Sequence, residues 1–327
     1  MIYPKLIISE RLYWYCIMIT TECQEILTDN RKSGKERPWA LYKLSNGYIA
    51  MAYDEVDKSK AERLRTCASW LEFAKTEGGL RLHKANFCRV RLCPICQWRR
   101  SLKTFGQVYK IVSVAQADYS FIFLTLTIKN VEGDALKESL DSLSKSWDRF
   151  IKYKDIKSVV KGYYRGCEVT HNVTEDTYHP HFHCLLAVNK SYFTSRDYLS
   201  QAKFTSLWQK AARLNYVPQV DVRKVKADNV QGVCAEVAKY AVKTSDVICF
   251  DDWDLTVDTV ATLDKALDKR RFIAFGGCFK EIHKKLNLDD VESGDLVHTS
   301  DEAVDKTQER VLYAWHTGYN QYVRTGK

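Results

Sequence analysis

Apolar and polar positions follow several distinct periods along this chain. Tyr119 to Ile128 (YSFIFLTLTI) is an unbroken run of β-branched, aromatic and aliphatic residues, which predicts a buried strand. Asp134 to Tyr153 sets Leu136, Leu140, Leu143, Trp147, Phe150 and Ile151 at helical spacing. Gly162 to Val173 and Tyr178 to Val188 read as two strands joined by a short polar turn. Ser195 to Leu214 predicts a helix, Val217 to Val225 a strand, and Val230 to Val242 a helix. This order predicts an α+β fold, a central antiparallel sheet with helices packed on one face. The polar stretch Thr28 to Arg37 reads as a loop. After Asp251 the chain reads as mostly helical, with a break at Gly276-Gly277.

Composition narrows the class. The chain has 327 residues, of which 45% are hydrophobic and 28% charged, so wholesale disorder and collagen-like repeats are excluded. The uncharged runs Leu12 to Thr21 and Tyr119 to Ile128 are ten residues each, against the roughly 20 a spanning helix needs. No membrane span is therefore expected. Eleven cysteines, an odd number, without a secretory layout at the N-terminus fit a reducing, cytoplasmic setting.

The net charge of +9 changes meaning once it is located. Arg81, Lys84, Arg89, Arg91, Arg99, Arg100 and Lys103 fall in the window 81–104, which contains no acid. Residues 251–327 hold 11 Lys and Arg against 15 Asp and Glu, a net of −4. A concentrated basic module points to nucleic acid, with a solvated basic face as the bland alternative.

Inside that module stand Cys88, Cys93 and Cys96, with Cys67 upstream. Four thiols with a C-x2-C pair suit tetrahedral Zn²⁺. Cys93-Pro94-Ile95-Cys96 also fits a redox pair, and buried structural thiols remain an alternative. His83 is a candidate replacement for Cys67. Arg89, Arg91, Arg99, Arg100 and Lys103, interleaved with the cysteines, are candidate phosphate contacts.

The strongest chemical signal is His179-Pro180-His181-Phe182-His183. The strand period of two points His181 and His183 to one face, a metal-binding pair. His179 has the same parity but lies about 13 Å from His183 along a strand. If Glu175-Asp176 closes a hairpin, Glu168 stands opposite His183 and Thr170 opposite His181. Glu168 is then the expected third ligand, in a set that suits Mg²⁺ or Mn²⁺. A slip in register favours another acid or His171. On the next helix, Glu236 and Tyr240 are four residues apart and share a face, with Lys239 and Lys243 adding charge. A tyrosine hydroxyl can serve as a nucleophile on a phosphate. An ordinary amphipathic helix explains the same spacing.

Taken together, Cys88-Arg-Val-Arg-Leu-Cys-Pro-Ile-Cys96 with Trp98-Arg99-Arg100, Phe123-Leu-Thr-Leu-Thr127, His179-Pro-His-Phe-His183 and Glu236-Val-Ala-Lys-Tyr240 with Lys243 resemble the rolling-circle plasmid replication initiators (Rep proteins) of the HUH endonuclease superfamily. The resemblance covers roughly residues 67–250. It implies a nickase acting at plasmid origin DNA, with an extruded hairpin as substrate and a host polymerase and helicase as partners. It implies that His181 and His183 bind the divalent ion, that Tyr240 is the nucleophile, and that Glu236 serves in termination. Phe182, Trp98 and Trp208 are candidate stacking platforms for bases. Four segments follow: 1–65 of unassigned role, a Cys-rich basic module at 66–104, a nickase domain at 105–250, and an acidic region at 251–327 that could mediate self-association. A non-catalytic DNA-binding or copy-control protein, a transposase or relaxase of the same superfamily, and a hydrolase of small phosphoesters are the alternatives.

Overall fold

The computed structural model describes residues 25–30, 34–239, 241–299 and 308–325. In chain order its elements begin with helices α1 (Trp39–Val56) and α2 (Lys58–Thr66), strands β1 (Trp70–Thr76) and β2 (Gly79–Ala85), and helix α3 (Pro94–Ala115). Strand β3 (Tyr119–Thr127), helices α4 (Leu136–Phe150) and α5 (Lys154–Val159), and strands β4 (Val160–Asn172) and β5 (Thr177–Asn189) follow. Then come helix α6 (Gln201–Ala212), strand β6 (Val220–Lys224), and helices α7 (Val230–Val237) and α8 (Trp253–Leu267). Strand β7 (Ile273–Gly277), helix α9 (Cys278–Lys285), and strands β8 (Arg310–His316) and β9 (Gln321–Thr325) complete the chain. Among the described residues, no helix is long and apolar enough to cross a membrane.

The architecture is α+β, with antiparallel sheets and helices packed on them, as the sequence predicts. The chain divides into two units. One comprises residues 1–96, 248–257 and 301–327, the other 97–247 and 258–300.

The first unit is built on a four-stranded sheet of order β2-β1-β8-β9. Trp39 of α1 meets Phe73 of β1 edge-on at 6.2 Å, and Phe73 meets Tyr313 of β8 at 6.0 Å. The C-terminal region thus carries strands as well as helices, and β8 and β9 complete a sheet begun some 235 residues earlier in the chain.

The second unit is a five-stranded sheet of order β6-β3-β5-β4-β7. Ile122, Leu124 and Leu126 of β3 with Phe182, Cys184 and Leu186 of β5 pack against α4 and α6. The alternate residues Phe121, Phe123, Leu185 and Ala187 pack against α3, α7 and α9. Helices therefore cover both faces, where one was expected. The reason lies in the strands, because both parities of β3 and β5 are apolar and neither face could be left in water. Phe182, Trp98 and Trp208 are buried, so they serve packing and do not offer stacking platforms to bases.

Candidate active site

The odd-numbered face of β5 changes chemistry along its length. Leu185 and Ala187 are core, whereas His183, His181 and His179 continue the same row toward the strand's start. Glu168 of β4 pairs with His181, Gly166 with His183, and Thr170 with His179. The expected register, Glu168 opposite His183, is off by two residues. The turn takes four residues, 173–176, because Asn172 Oδ1 accepts the N–H groups of Thr174 at 3.1 Å and Glu175 at 3.3 Å. A slip of two preserves parity, so Glu168 stays on the histidine face.

Glu168 Oε2 lies 3.1 Å from His183 Nε2 and 3.5 Å from His181 Nε2. Gly166 makes the approach of its neighbours workable, since a Cβ there would sit 2.9 Å from the Tyr164 hydroxyl and 3.2 Å from the Val237 carbonyl. His181 Nδ1 is 3.0 Å from the His179 carbonyl. A carbonyl only accepts, so this nitrogen carries a proton, and Nε2 is the ring atom turned toward Glu168, where a bound cation would take its lone pair. His183 Nδ1 faces Thr125 Oγ1 at 3.3 Å, and its ring stacks on Phe123. One ligand atom from each of Glu168, His181 and His183 lies within 4.8 Å of the others, so the group could hold a metal ion. Two imidazole nitrogens and a carboxylate oxygen facing one point form a donor set for a divalent cation, which would satisfy all three at once.

Lys243 reaches Glu168 Oε1 at 3.2 Å. Burial works to raise the Glu168 carboxyl, but hydrogen bonds from His181 and His183 and the charge of Lys243 outweigh it. The group is held well below the usual carboxylate range. Burial likewise lowers the Lys243 ammonium, and the Glu168 charge more than restores it. His171, the other candidate ligand, has the opposite parity. Its Nε2 bonds Asp176 at 2.8 Å and its Nδ1 faces the Asp246 carbonyl at 3.0 Å.

Helix α7 ends at Val237, five residues before the expected boundary at Val242. Its last carbonyls have other partners: the Tyr164 hydroxyl donates to Val237 O at 3.0 Å, and Ser101 Oγ donates to Ala238 O at 2.6 Å. The helical i, i+4 argument linking Glu236 to Tyr240 therefore does not hold. Glu236 forms a close ion pair with Lys239. Tyr240 lies outside the described residues. Beyond it, Ala241 O accepts the Val169 N–H at 2.8 Å, and the Val242 N–H donates to Gln97 Oε1 at 3.4 Å. Gln97, Ser101 and Tyr164 carry no sequence signal for these contacts, since each reaches a segment distant in the chain.

In the first unit, Cys67, Cys88, Cys93 and Cys96 form one cluster, their Sγ atoms within 4.8 Å of one another. Sγ separations are 3.7 Å for Cys67 and Cys96, 3.8 Å for Cys88 and Cys96, and 3.6 Å for Cys67 and Cys93. A tetrahedron with metal–sulfur bonds of about 2.3 Å has edges of about 3.8 Å, so the thiols fit Zn²⁺. All four are free, which sets aside a disulfide within the C-P-I-C pair. Ala68 and Arg89, which follow Cys67 and Cys88, have φ of 50° and 59°. This bend helps aim N–H groups at sulfur, with Cys88 N 3.3 Å from Cys67 Sγ and Arg89 N 3.2 Å from Cys96 Sγ. Burial works to raise the Cys96 thiol, but hydrogen bonds from Cys67, Cys88, Cys93 and the Arg89 N–H hold it well below the usual thiol range. Burial pushes Cys93 up. His83 takes no part, its Nε2 lying 3.6 Å from Glu72.

The basic module divides in two. Arg89 is exposed and Arg91 half-buried, whereas Arg99, Arg100 and Lys103 are buried. Arg99 donates to Leu296 O at 2.9 Å and Val297 O at 2.7 Å, and Lys103 donates to Asp295 O at 2.6 Å and pairs closely with Asp289. The expected DNA role of these three is corrected accordingly, because an acidic loop far along the chain occupies Arg99 and Lys103. Arg99→Ala should cost roughly 1–3 kcal/mol in urea unfolding by stranding those carbonyls, with little change in DNA affinity. A large affinity loss at unchanged stability would contradict this.

A model of the replication protein family matches residues 79–323. The chain belongs to the replication protein (Rep) family. Among curated proteins it is similar to "Protein rep" of Bacillus amyloliquefaciens, with 40% identity covering 91% of this chain and 97% of that one. It is also similar to "Protein rep" of Streptococcus pneumoniae, with 39% identity over 92% and 96%, and to "Protein rep" of Lactiplantibacillus plantarum, with 39% over 91% and 98%. No solved structure matches the chain. The family that the motifs resemble is thereby borne out. The matched span includes His181, His183, Glu168 and three of the four clustered cysteines; Cys67 lies ahead of it.

Proposed function

We propose that this chain is a plasmid rolling-circle replication initiator that nicks one strand of the double-strand origin in the cytoplasm. The observation that carries the reading is the convergence of Glu168, His181 and His183, with Lys243 beside them, in a member of the replication protein family.

His181, His183 and Glu168 would hold Mg²⁺ or Mn²⁺, which would supply Lewis-acid polarisation of a phosphate oxygen of the scissile link. The Tyr240 hydroxyl attacks the phosphorus in line. A tyrosyl O–P bond forms as the bond to the 3′ oxygen breaks, and the proton lost by the tyrosine balances the one gained by the leaving oxygen. The products are a 5′-phosphotyrosine and a 3′-hydroxyl that a host polymerase can extend, with a host helicase opening the duplex ahead. Lys243 fixes the Glu168 carboxylate and adds positive charge beside the phosphate. At the end of a round Glu236, released from Lys239, would take a proton from a water whose oxygen bonds to phosphorus as the 3′ oxygen leaves and is protonated. Unpaired DNA at an extruded hairpin is the expected substrate. Cys67, Cys88, Cys93 and Cys96 would hold Zn²⁺ as a structural centre, with Arg89 and Arg91 near origin DNA.

The test is to incubate the protein with Mn²⁺ and a supercoiled plasmid carrying its origin. Nicked circles with protein at the 5′ end are expected, and none when EDTA replaces the ion. Origin binding without any cleavage would overturn the nickase reading in favour of a copy-control protein.

A further inference from the structure

Strand β4 changes its edge partner part-way along. Its pairing with β7 runs from Gly162 to Gly166, and the Cys167 N–H donates to Phe272 O at 2.8 Å. Past that point the edge is met by the segment 241–246, where Ala241 O accepts the Val169 N–H. This segment directly follows Tyr240, carries Lys243 and ends in a single turn, Thr244–Asp246. In that turn the Asp246 N–H donates to Lys243 O at 3.0 Å and the Val247 N–H to Thr244 O at 3.1 Å. One isolated turn fixes more backbone than its few bonds repay, so its place depends on what grips it from outside.

The near end of the segment is held by Val169 and Gln97. The far end is held by His171, two residues past Val169 on β4. Its side chain is 1% exposed. Nδ1 donates to Asp246 O at 3.0 Å, and Nε2 donates to Asp176 Oδ1 at 2.8 Å. Both partners can only accept, so the two bonds use both ring N–H groups. The ring lies flat on Tyr178, its cross-strand partner, with centroids 4.5 Å apart and planes at 12°. Asp176 belongs to the turn that Asn172 caps, and its φ is 48°. The imidazole thus fastens the end of the segment to a capped hairpin turn.

Lys243 lies between the two anchors, its Nζ 3.2 Å from Glu168 Oε1. His171 itself has the opposite parity to Glu168 on β4 and stands on the other face from the histidine pair.

We propose that His171 is a positioning residue for strand cleavage: by bridging Asp176 to Asp246 it fixes the far end of the segment that follows Tyr240 and sets Lys243 beside Glu168. This rests on the nickase reading for what the segment does, and on the hydrogen bonds alone for how it is held. A misplacement of about 1 Å at a reacting group can cost about 100-fold in rate, so the tether bears on cleavage although the ring touches no reacting atom.

His171→Phe keeps a flat ring against Tyr178 and removes both bonds. In hydrogen–deuterium exchange on the full chain, the amides of 244–247 should exchange about tenfold faster, the shift that follows when a local opening loses a hydrogen bond of ordinary worth. Strand β3 should exchange as in wild type. With Mn²⁺ and saturating supercoiled origin plasmid, the single-turnover nicking rate should fall at least about tenfold while origin affinity stays within about twofold. Asp176→Gly suits the left-handed φ and removes the group that orients the ring, so it should move exchange and rate in the same direction. It carries the test if the phenylalanine variant does not fold. Exchange at 244–247 within about twofold of wild type in the folded variants overturns the proposal. So does faster exchange with an unchanged nicking rate, and so does a joint fall of rate, affinity and melting temperature, which marks a merely structural residue. A wild-type protein that never nicks overturns the nickase reading instead, and the exchange result then decides the tether by itself.

Discussion

Tyr240→Phe is expected to abolish the protein–DNA adduct and to lower nicking at least about 10⁴-fold, the scale of loss when an enzyme's nucleophile is removed. Phenylalanine keeps the ring and deletes only the hydroxyl that would form the new bond to phosphorus. Origin binding should persist, because the groups proposed for it lie in other elements. Denaturing electrophoresis of labelled origin DNA provides the measurement. An adduct in the variant would remove Tyr240 from its role and direct attention to another of the 19 tyrosines. A loss of nicking together with a loss of folding would be uninformative, so a thermal melt belongs beside the assay.

Cys96→Ser is expected to have the largest structural effect. Cys96 is fully buried, stands within 3.8 Å of two other cluster sulfurs, and accepts the Arg89 N–H. Serine's oxygen sits closer to its own Cβ and is a poor zinc ligand, so the cluster loses a corner. Structural zinc supplies on the order of 10 kcal/mol of folding free energy in small metal-dependent modules. Purified variant should therefore retain no stoichiometric zinc and lose cooperative unfolding of the first unit. Wild-type protein that melts identically before and after complete zinc removal would refute a structural role for the cluster.

Much of the second unit was legible in the sequence. Strand β3 and helix α4 follow from apolar runs and helical spacing, and the histidine pair with Glu168 follows from parity alone. Parity survives a two-residue slip, which is why Glu168 stands beside the histidine pair although the register differs. The turn itself was misread because the Asn172 side chain, which caps it, carries no signature distinct from other polar turn residues. Helix α7 stops early for a tertiary reason, the claims of Tyr164 and Ser101 on its last carbonyls. Helix α1 carries no clean apolar period, since Ser45-Asn46-Gly47 interrupts it, and Asn46 is buried with its side chain donating to Leu64 O of α2. Charge counting could not tell exposed from buried base. Arg89 and Arg99 look alike in a window, and only the distant segment 289–297 separates them.

Cys67 and Cys88, the first two members of the thiol cluster in chain order, bracket the hairpin of β1 and β2. When an ion joins them, that hairpin becomes a closed ring of 22 residues. Closing a loop of this size removes roughly 3 kcal/mol of chain entropy from the unfolded state, by the same arithmetic as a covalent cross-link. Its remaining neighbours, β8 and β9, arrive from the far end of the chain. A ring needs no such late arrival to keep its two strands in register, so a ribosome-bound nascent chain could form and keep this hairpin, and the helix fastened to it, long before its last residues are made.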